Sequence, residues 1–155
     1  MMKFENFFQN AYVTRDLDEA VAIFREQHDV QAWVFLEPDM TVRTARGEGP
    51  AHVRVAMGWV GNYMVEVIQP ISGLIHHYLD FLPADHTPRF HHIAMRTFDW
   101  EKTRAEIDRL KLPVAYEGSV PGCNFIYIDA LQTLGHYVEY VWAEQEMWKA
   151  IGGPG

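Results

Sequence analysis

The strongest constraint on this chain is an internal echo. The segment Gln9-Asn10-Ala11-Tyr12-Val13-Thr14-Arg15-Asp16 returns as His92-Ile93-Ala94-Met95-Arg96-Thr97-Phe98-Asp99. In each copy a polar side chain able to ligate a metal opens a strand-like run, and an Asp follows at the mouth of a helix. Each copy then leads to a second β-rich run with a lone carboxylate among apolar residues. These are Glu66 in Met64-Val65-Glu66-Val67-Ile68 and Glu139 in Tyr137-Val138-Glu139-Tyr140-Val141. Two half-domains, each offering two inward ligands, are what a metal site shared between repeats requires.

The periodicities around the echo fill in the halves. Residues 5–14 read as a strand, and Asp16-Leu17-Asp18-Glu19 reads as a capping box opening a helix with Leu17, Val21 and Phe24 on one face. Runs 31–37 and 51–60 are β-rich, separated by a polar segment around 41–50, and Gly61-Asn62 turns the chain into a further strand, 63–69. The second half repeats the order: strand 90–97, helix 99–110, then strands near 113–117, 123–129 and 135–142. The expectation is one α+β domain over 1–155, with module one at about 5–70, a linker at 71–89 and module two at about 90–142. A short C-terminal helix, 143–151, is expected before a frayed Gly-Gly-Pro-Gly end. Each module is βαβββ, with one sheet face under its helix and the other open. Two such modules side by side close into one cupped, barrel-like mixed sheet with helices outside.

Composition narrows the partners. A chain of 155 residues with 48% hydrophobic content can bury a real core. Its net charge of -8 and scattered basic residues argue against nucleic acid, and no Gly-rich phosphate loop is present. Glutathione and coenzyme A each lack a recognisable basic grip, which leaves room for a small, non-conjugated substrate without excluding a conjugated one. No apolar run approaches the ~20 residues of a membrane span, and the start lacks a signal-peptide core, so a cytoplasmic protein is expected. The single cysteine, Cys123, excludes an internal disulfide and a Cys-based zinc site, and reads as packing rather than as a nucleophile.

Side chains alternate along a strand, so Glu66 shares a face with Met64 and Ile68, and Glu139 with Tyr137 and Val141. Burying such carboxylates is costly unless they are paired or bind a cation. A divalent ion between them would neutralise both, with the Gln9 oxygen and a His92 nitrogen completing four protein ligands. Mixed nitrogen and oxygen ligation suits Zn, Ni, Co, Mn or Fe.

The runs Phe90-His91-His92-Ile93-Ala94, Val65-Glu66-Val67-Ile68-Gln69-Pro70 and Gly135-His136-Tyr137-Val138-Glu139-Tyr140 resemble the ligand strands of the vicinal oxygen chelate superfamily. That superfamily comprises glyoxalases, methylmalonyl-CoA epimerases, extradiol dioxygenases and bleomycin-resistance proteins. The resemblance covers nearly the whole chain. It implies metal ligation by Gln9, Glu66, His92 and Glu139, with Gln9 where the first ligand is more often His. The ligand set is similar to that of eukaryotic-type lactoylglutathione lyases, whereas the linker and the Glu66-to-Pro70 run look more like the epimerase-like branch. The implied activity is that of a metal-dependent isomerase, epimerase or lyase. It would move a proton α to a carbonyl through a metal-stabilised enediolate or enolate, with Glu139 as first choice of base and Glu66 as the alternative. Two rivals stand beside it: an Fe(II) extradiol-type dioxygenase, which favours two His and one carboxylate, and a metal-free, antibiotic-sequestering binding protein. A homodimer is the family's expectation.

Substrate contacts are sought among His52 and Arg54 on one strand face, His77 on the linker helix, and Asn124 and Tyr127. The last two lie on opposite faces of one strand, so at most one of them faces the cavity. His76, His77 and Tyr78 could line the pocket, but are expected to belong mainly to a solvated helix face. His91 and His136 are expected to support the ligands or to lie at the surface.

Overall fold

The computed structural model describes residues 2–155. The first half runs β1 (Phe7–Val13), α1 (Leu17–His28), β2 (Ala32–Leu36), β3 (Asp39–Thr44), β4 (Gly47–Val60) and β5 (Tyr63–Gly73). A linker helix, α2 (His76–Leu79), precedes the second half: β6 (Arg89–Arg96), α3 (Trp100–Leu110), β7 (Val114–Val120), β8 (Cys123–Ile128) and β9 (Tyr137–Ala143). The chain ends in α4 (Gln145–Ala150).

The echo governs how both halves begin. Asp16 and Asp99 each cap a helix by accepting the backbone N–H three residues on, at 3.0 Å in both cases. Both helices also end alike, on a left-handed residue, Asp29 and Lys111, each at φ 54°. The Glu19 carboxylate does not complete the capping box; it meets His86 at 2.8 Å instead.

Within each half the first strand pairs in parallel with the last, β1 with β5 and β6 with β9. The remaining neighbours pair antiparallel. Two antiparallel seams, β1–β6 and β3–β7, join the halves and close the sheet into an eight-strand ring. β2 is an extra strand along the edge of β4, collinear with β3 and broken from it at Glu37-Pro38. The two tandem βαβββ modules thus form the cupped mixed sheet, with α1 and α3 outside.

Two expectations are corrected. The polar 41–50 segment is not a gap between strands: it forms the β3–β4 hairpin, in which Thr41, Arg43 and Glu48 stay exposed while Val42 is buried against the core. One inward residue in a polar run gives too little alternation to read. The C-terminal glycines are not frayed. Trp59 Nε1 donates to the Ile151 carbonyl at 2.7 Å, and Trp148 Nε1 donates to the Pro154 carbonyl at 2.9 Å. Gly153 lies so close to the Trp148 indole that an added Cβ would stand 2.4 Å from it. The indoles therefore require the glycine and hold it.

Candidate metal centre

Sheet register explains why four side chains meet. Across the β1–β6 seam, Gln9 stands opposite Ala94 and His92 opposite Ala11. Ala11 in turn lies beside Glu66 on β5, and Ala94 beside Glu139 on β9. Each half's first ligand thus faces the other half's alanine, and a methyl group leaves room for two larger neighbours to reach across it. Both alanines are fully buried.

The imidazole of His92 is the hub. Its Nε2 lies 3.0 Å from Glu139 Oε2, 3.2 Å from Gln9 Oε1 and 3.6 Å from Glu66 Oε1. The Gln9 amide nitrogen donates to Met64 Sδ at 3.1 Å, which turns the amide oxygen towards His92. The other side of the ring fixes the tautomer. His91 Nε2 lies 3.1 Å from the carbonyl of His77, which can only accept, so that nitrogen carries the proton. Burial holds His91 neutral, with its pKa well below the usual imidazole range. His91 Nδ1 is therefore an acceptor, and His92 Nδ1, 2.8 Å away, donates to it. His92 Nε2 is left with a bare lone pair.

Four acceptors then converge on one point: a nitrogen lone pair, an amide oxygen and two carboxylates. Only a proton or a cation reconciles them. The ligand atoms of Glu66, His92 and Glu139 lie within 4.8 Å of one another, and all three residues are buried. Tetrahedral bonds of about 2.1 Å place ligands about 3.4 Å apart, in keeping with the distances from His92 Nε2. The donor set fits a divalent ion of the zinc-to-iron range.

Electrostatics agree. Burial raises the Glu139 carboxyl to about 8, opposed by a hydrogen bond from Tyr127. Burial and the neighbouring Glu139 charge raise Glu66 well above the carboxylate range. Burial lowers His92 to about 3. Without a cation the two acids favour keeping protons; a cation among them supplies the missing positive charge.

Glu66 and Glu139 open onto a cavity of about 140 Å³, lined also by Val53, Val55, Met57 and Met64, with Met147 and Ile151 from the C-terminal segment. Tyr127 lines it as well, with its ring centroid 4.6 Å from that of His92. The other candidate substrate contacts lie elsewhere. His52 and Arg54 alternate with Val53 and Val55 on β4 and face away, His52 towards Glu37 at 3.0 Å and Arg54 towards Gln69 at 3.3 Å. Asn124 lines a larger outer cleft of about 670 Å³ between α3 and the β3–β7 seam. His77 is buried but does not line the cavity; its ring lies 4.0 Å from the rings of both Tyr78 and Tyr116, and neither ring nitrogen has a partner. His77 and Tyr78 are each only 2% exposed, which corrects the expected solvated helix face.

Tyr78 lines the cavity from the linker, the lesser of its two readings from sequence, and sequence reasoning missed the thioether wall of Met40, Met57, Met64 and Met147. The β4–β5 register, Met57 opposite Glu66, carries that signal; the sequence shows alternation without showing which strands are neighbours. Cys123 also lines the cavity, and burial pushes its thiol up to about 12, so it is inert at neutral pH.

The family model of the Glyoxalase/Bleomycin resistance protein/Dioxygenase superfamily matches residues 8–127. The chain belongs to that superfamily. No curated protein matches it. Solved structures with this superfamily fold include a methylmalonyl-CoA epimerase in complex with methylmalonyl-CoA and NH4+, at 20% identity and TM-score 0.64 over 96% of this chain and 98% of that one. A Streptomyces coelicolor methylmalonyl-CoA epimerase variant in complex with 2-nitronate-propionyl-CoA aligns at 21% identity and TM-score 0.63, covering 96% of this chain and 98% of that one. The Mycobacterium tuberculosis methylmalonyl-CoA epimerase aligns at 16% identity and TM-score 0.61 over 97% of each chain. At these identities the likeness is one of fold. Among the described residues, no helix is long and apolar enough to cross a membrane.

Proposed function

We propose that this superfamily member is a metal-dependent isomerase, epimerase or lyase that moves a proton α to a carbonyl of a small, largely apolar substrate. The observation that carries the reading is the convergence of four acceptors, two of them buried carboxylates, at the wall of an otherwise apolar cavity. Gln9, Glu66, His92 and Glu139 would hold a divalent ion. Such an ion, when bound, supplies a Lewis acid for the substrate's carbonyl oxygen.

The chain's own groups handle the proton. Glu139 is the base: a carboxylate oxygen accepts the proton from the carbon next to the carbonyl, and burial favours keeping it there. To act so, the carboxylate must loosen from the shared position it holds beside His92. Glu66, on the neighbouring strand pair, is the second acid–base group. The apolar wall keeps water from the transferred proton. Among the described residues no Lys or Arg lines the cavity, so any charge at the reacting end would have to be met by the ion, and the apolar wall suits apolar substituents. The family resemblance further supports a homodimer, tested by sedimentation, and the sequence's lack of a signal-peptide core supports a cytoplasmic location, tested by localisation.

The test is α-proton exchange. The protein loaded with Zn, Ni, Co, Mn or Fe in turn is incubated in D2O with small hydroxy-ketones and followed by NMR. Metal-dependent deuterium uptake at the α-carbon is expected. Iron-dependent oxygen uptake with a catechol, or tight ligand binding by exhaustively demetallated protein with no exchange under any metal, would overturn the reading.

A further inference from the structure

The linker helix α2 belongs to neither repeat, yet two of its consecutive residues reach the two ligands of the second half. The His77 carbonyl accepts from His91 Nε2 at 3.1 Å, and His91 Nδ1 meets His92 Nδ1 at 2.8 Å. The Tyr78 hydroxyl lies 2.8 Å from the Tyr127 hydroxyl, and Tyr127 stands directly opposite Glu139 in the β8–β9 register, both lining the cavity. Either tyrosine hydroxyl can donate to the other; a carboxylate can only accept, so a Tyr127 hydroxyl turned to Glu139 would leave its oxygen to accept from Tyr78. The histidine chain is thus directional, and the tyrosine pair links the helix to the residue facing Glu139. All the side chains in them are buried: His91 and His92 are fully enclosed, and Tyr78 and Tyr127 nearly so.

We infer that α2 is the orienting brace of the metal centre: it sets the tautomer of His92 through His91 and the orientation of Glu139 through Tyr127. His91, Tyr78 and Tyr127 are positioning residues in this scheme, and the inference rests on the metal-site reading. The His77 ring takes no part, since both of its nitrogens lack partners; the helix acts through the backbone carbonyl. That carbonyl is placed by burial of the ring between Tyr78 and Tyr116. The first half has no counterpart. Gln9 is oriented by Met64 on the neighbouring strand β5, so it needs nothing from the linker. An amide has no tautomer to fix. An imidazole has one, and its wrong tautomer would place a proton where the ion must go.

Three measurements test this. In metal-free wild-type protein, nitrogen-15 NMR should show His92 protonated at Nδ1 and bare at Nε2; a neutral His92 with its proton on Nε2 overturns the inference whether or not metal binds. Second, Co²⁺ affinity by direct titration should fall by on the order of ten- to a hundredfold in His91→Leu, the usual cost of losing a ligand's outer partner. It should return to within about threefold of wild type in His91→Gln, whose amide can accept from His92 and donate to the His77 carbonyl. Equal losses in the two variants reduce His91 to packing and overturn the relay. Third, Tyr78→Phe should weaken Co²⁺ binding in the wild-type background and have no further effect in Tyr127→Phe, because Tyr78 acts through Tyr127. Additive losses would overturn that arm. If His91→Leu fails to fold, the NMR tautomer and the tyrosine cycle still decide. Wild-type protein that takes up no Co²⁺ would defeat the metal reading itself, a result distinct from all of these.

Discussion

The two halves of the sheet are alike as architecture and unlike as chemistry. Both open on a strand, cap a helix with Asp, end that helix on a left-handed residue, and return through antiparallel strands with the last strand parallel to the first. At the centre they diverge. The first half offers a neutral amide held by a thioether and a carboxylate raised by burial and by its twin. The second offers an imidazole held by a second imidazole and a carboxylate facing a tyrosine across the strand pair. Repetition supplies four positions facing one point; unequal support decides what each position does.

Expected outcomes that probe this contrast run from large to small. Glu139→Gln should cut α-proton exchange by about 10²- to 10⁴-fold, the range for a lost general base, while most of the metal stays bound. Glu66→Gln should cost less in exchange. Equal losses, measured beside metal content, would make the halves chemically equivalent and break the contrast.

The next effect is on stability without metal. Burial raises the Glu139 carboxyl to about 8 in the folded protein, well above the ordinary carboxylate value it regains on unfolding. A raised folded value means stability that is full at acid pH and lost as pH rises towards 8. The buried histidines are lowered from 6.5 and act oppositely, losing stability as pH falls below that value. Between pH 6.5 and 8 only the carboxylates act, so the Tm of chelator-treated protein should fall across that window. Added metal should reverse the fall, and a flat profile would contradict the burial of the acids.

Third, His92→Ala should weaken metal binding by roughly tenfold more than Gln9→Ala, ~1.4 kcal/mol, because the amide is the weaker donor. Competition with a chelator of known affinity measures both. Fourth, Ala11→Leu and Ala94→Leu should each cost about 1–3 kcal/mol by overpacking and should displace ligands of both halves at once. Denaturant titration with metal analysis would reveal a one-sided effect if the seam were less symmetric than its register. Smallest, Asp16→Ala and Asp99→Ala should each cost about 1 kcal/mol in thermal or denaturant unfolding.

Much of this was legible in the sequence because the echo ties local signals to long-range partners. Asp16 and Asp99 mark the helix starts, alternation puts Glu66 and Glu139 on apolar faces, and a two-module sheet brings the four strands side by side. What stayed hidden depends on contacts across the ring. His52 and Arg54 share a face with each other, but which face of β4 looks inward follows from its pairing with β5. Tyr78 and His77 sit in a polar-looking linker whose burial comes from Tyr116 and Tyr127, far along the chain. Trp59 and Trp148 turn a glycine tail into an ordered cover, an outcome that only their meeting in space produces.

The exchange of ligand against alanine across the β1–β6 seam has one further consequence. A cut in the exposed stretch 84–87 would yield two fragments, each with two of the four ligands and neither with a complete set. Reassembly of such fragments would be linked to the ion by mass action, so the concentration of free metal would set the fraction rejoined. Divided this way, the protein would become a metal-gated pair of complementing halves, its affinity for the ion readable as the affinity of one fragment for the other.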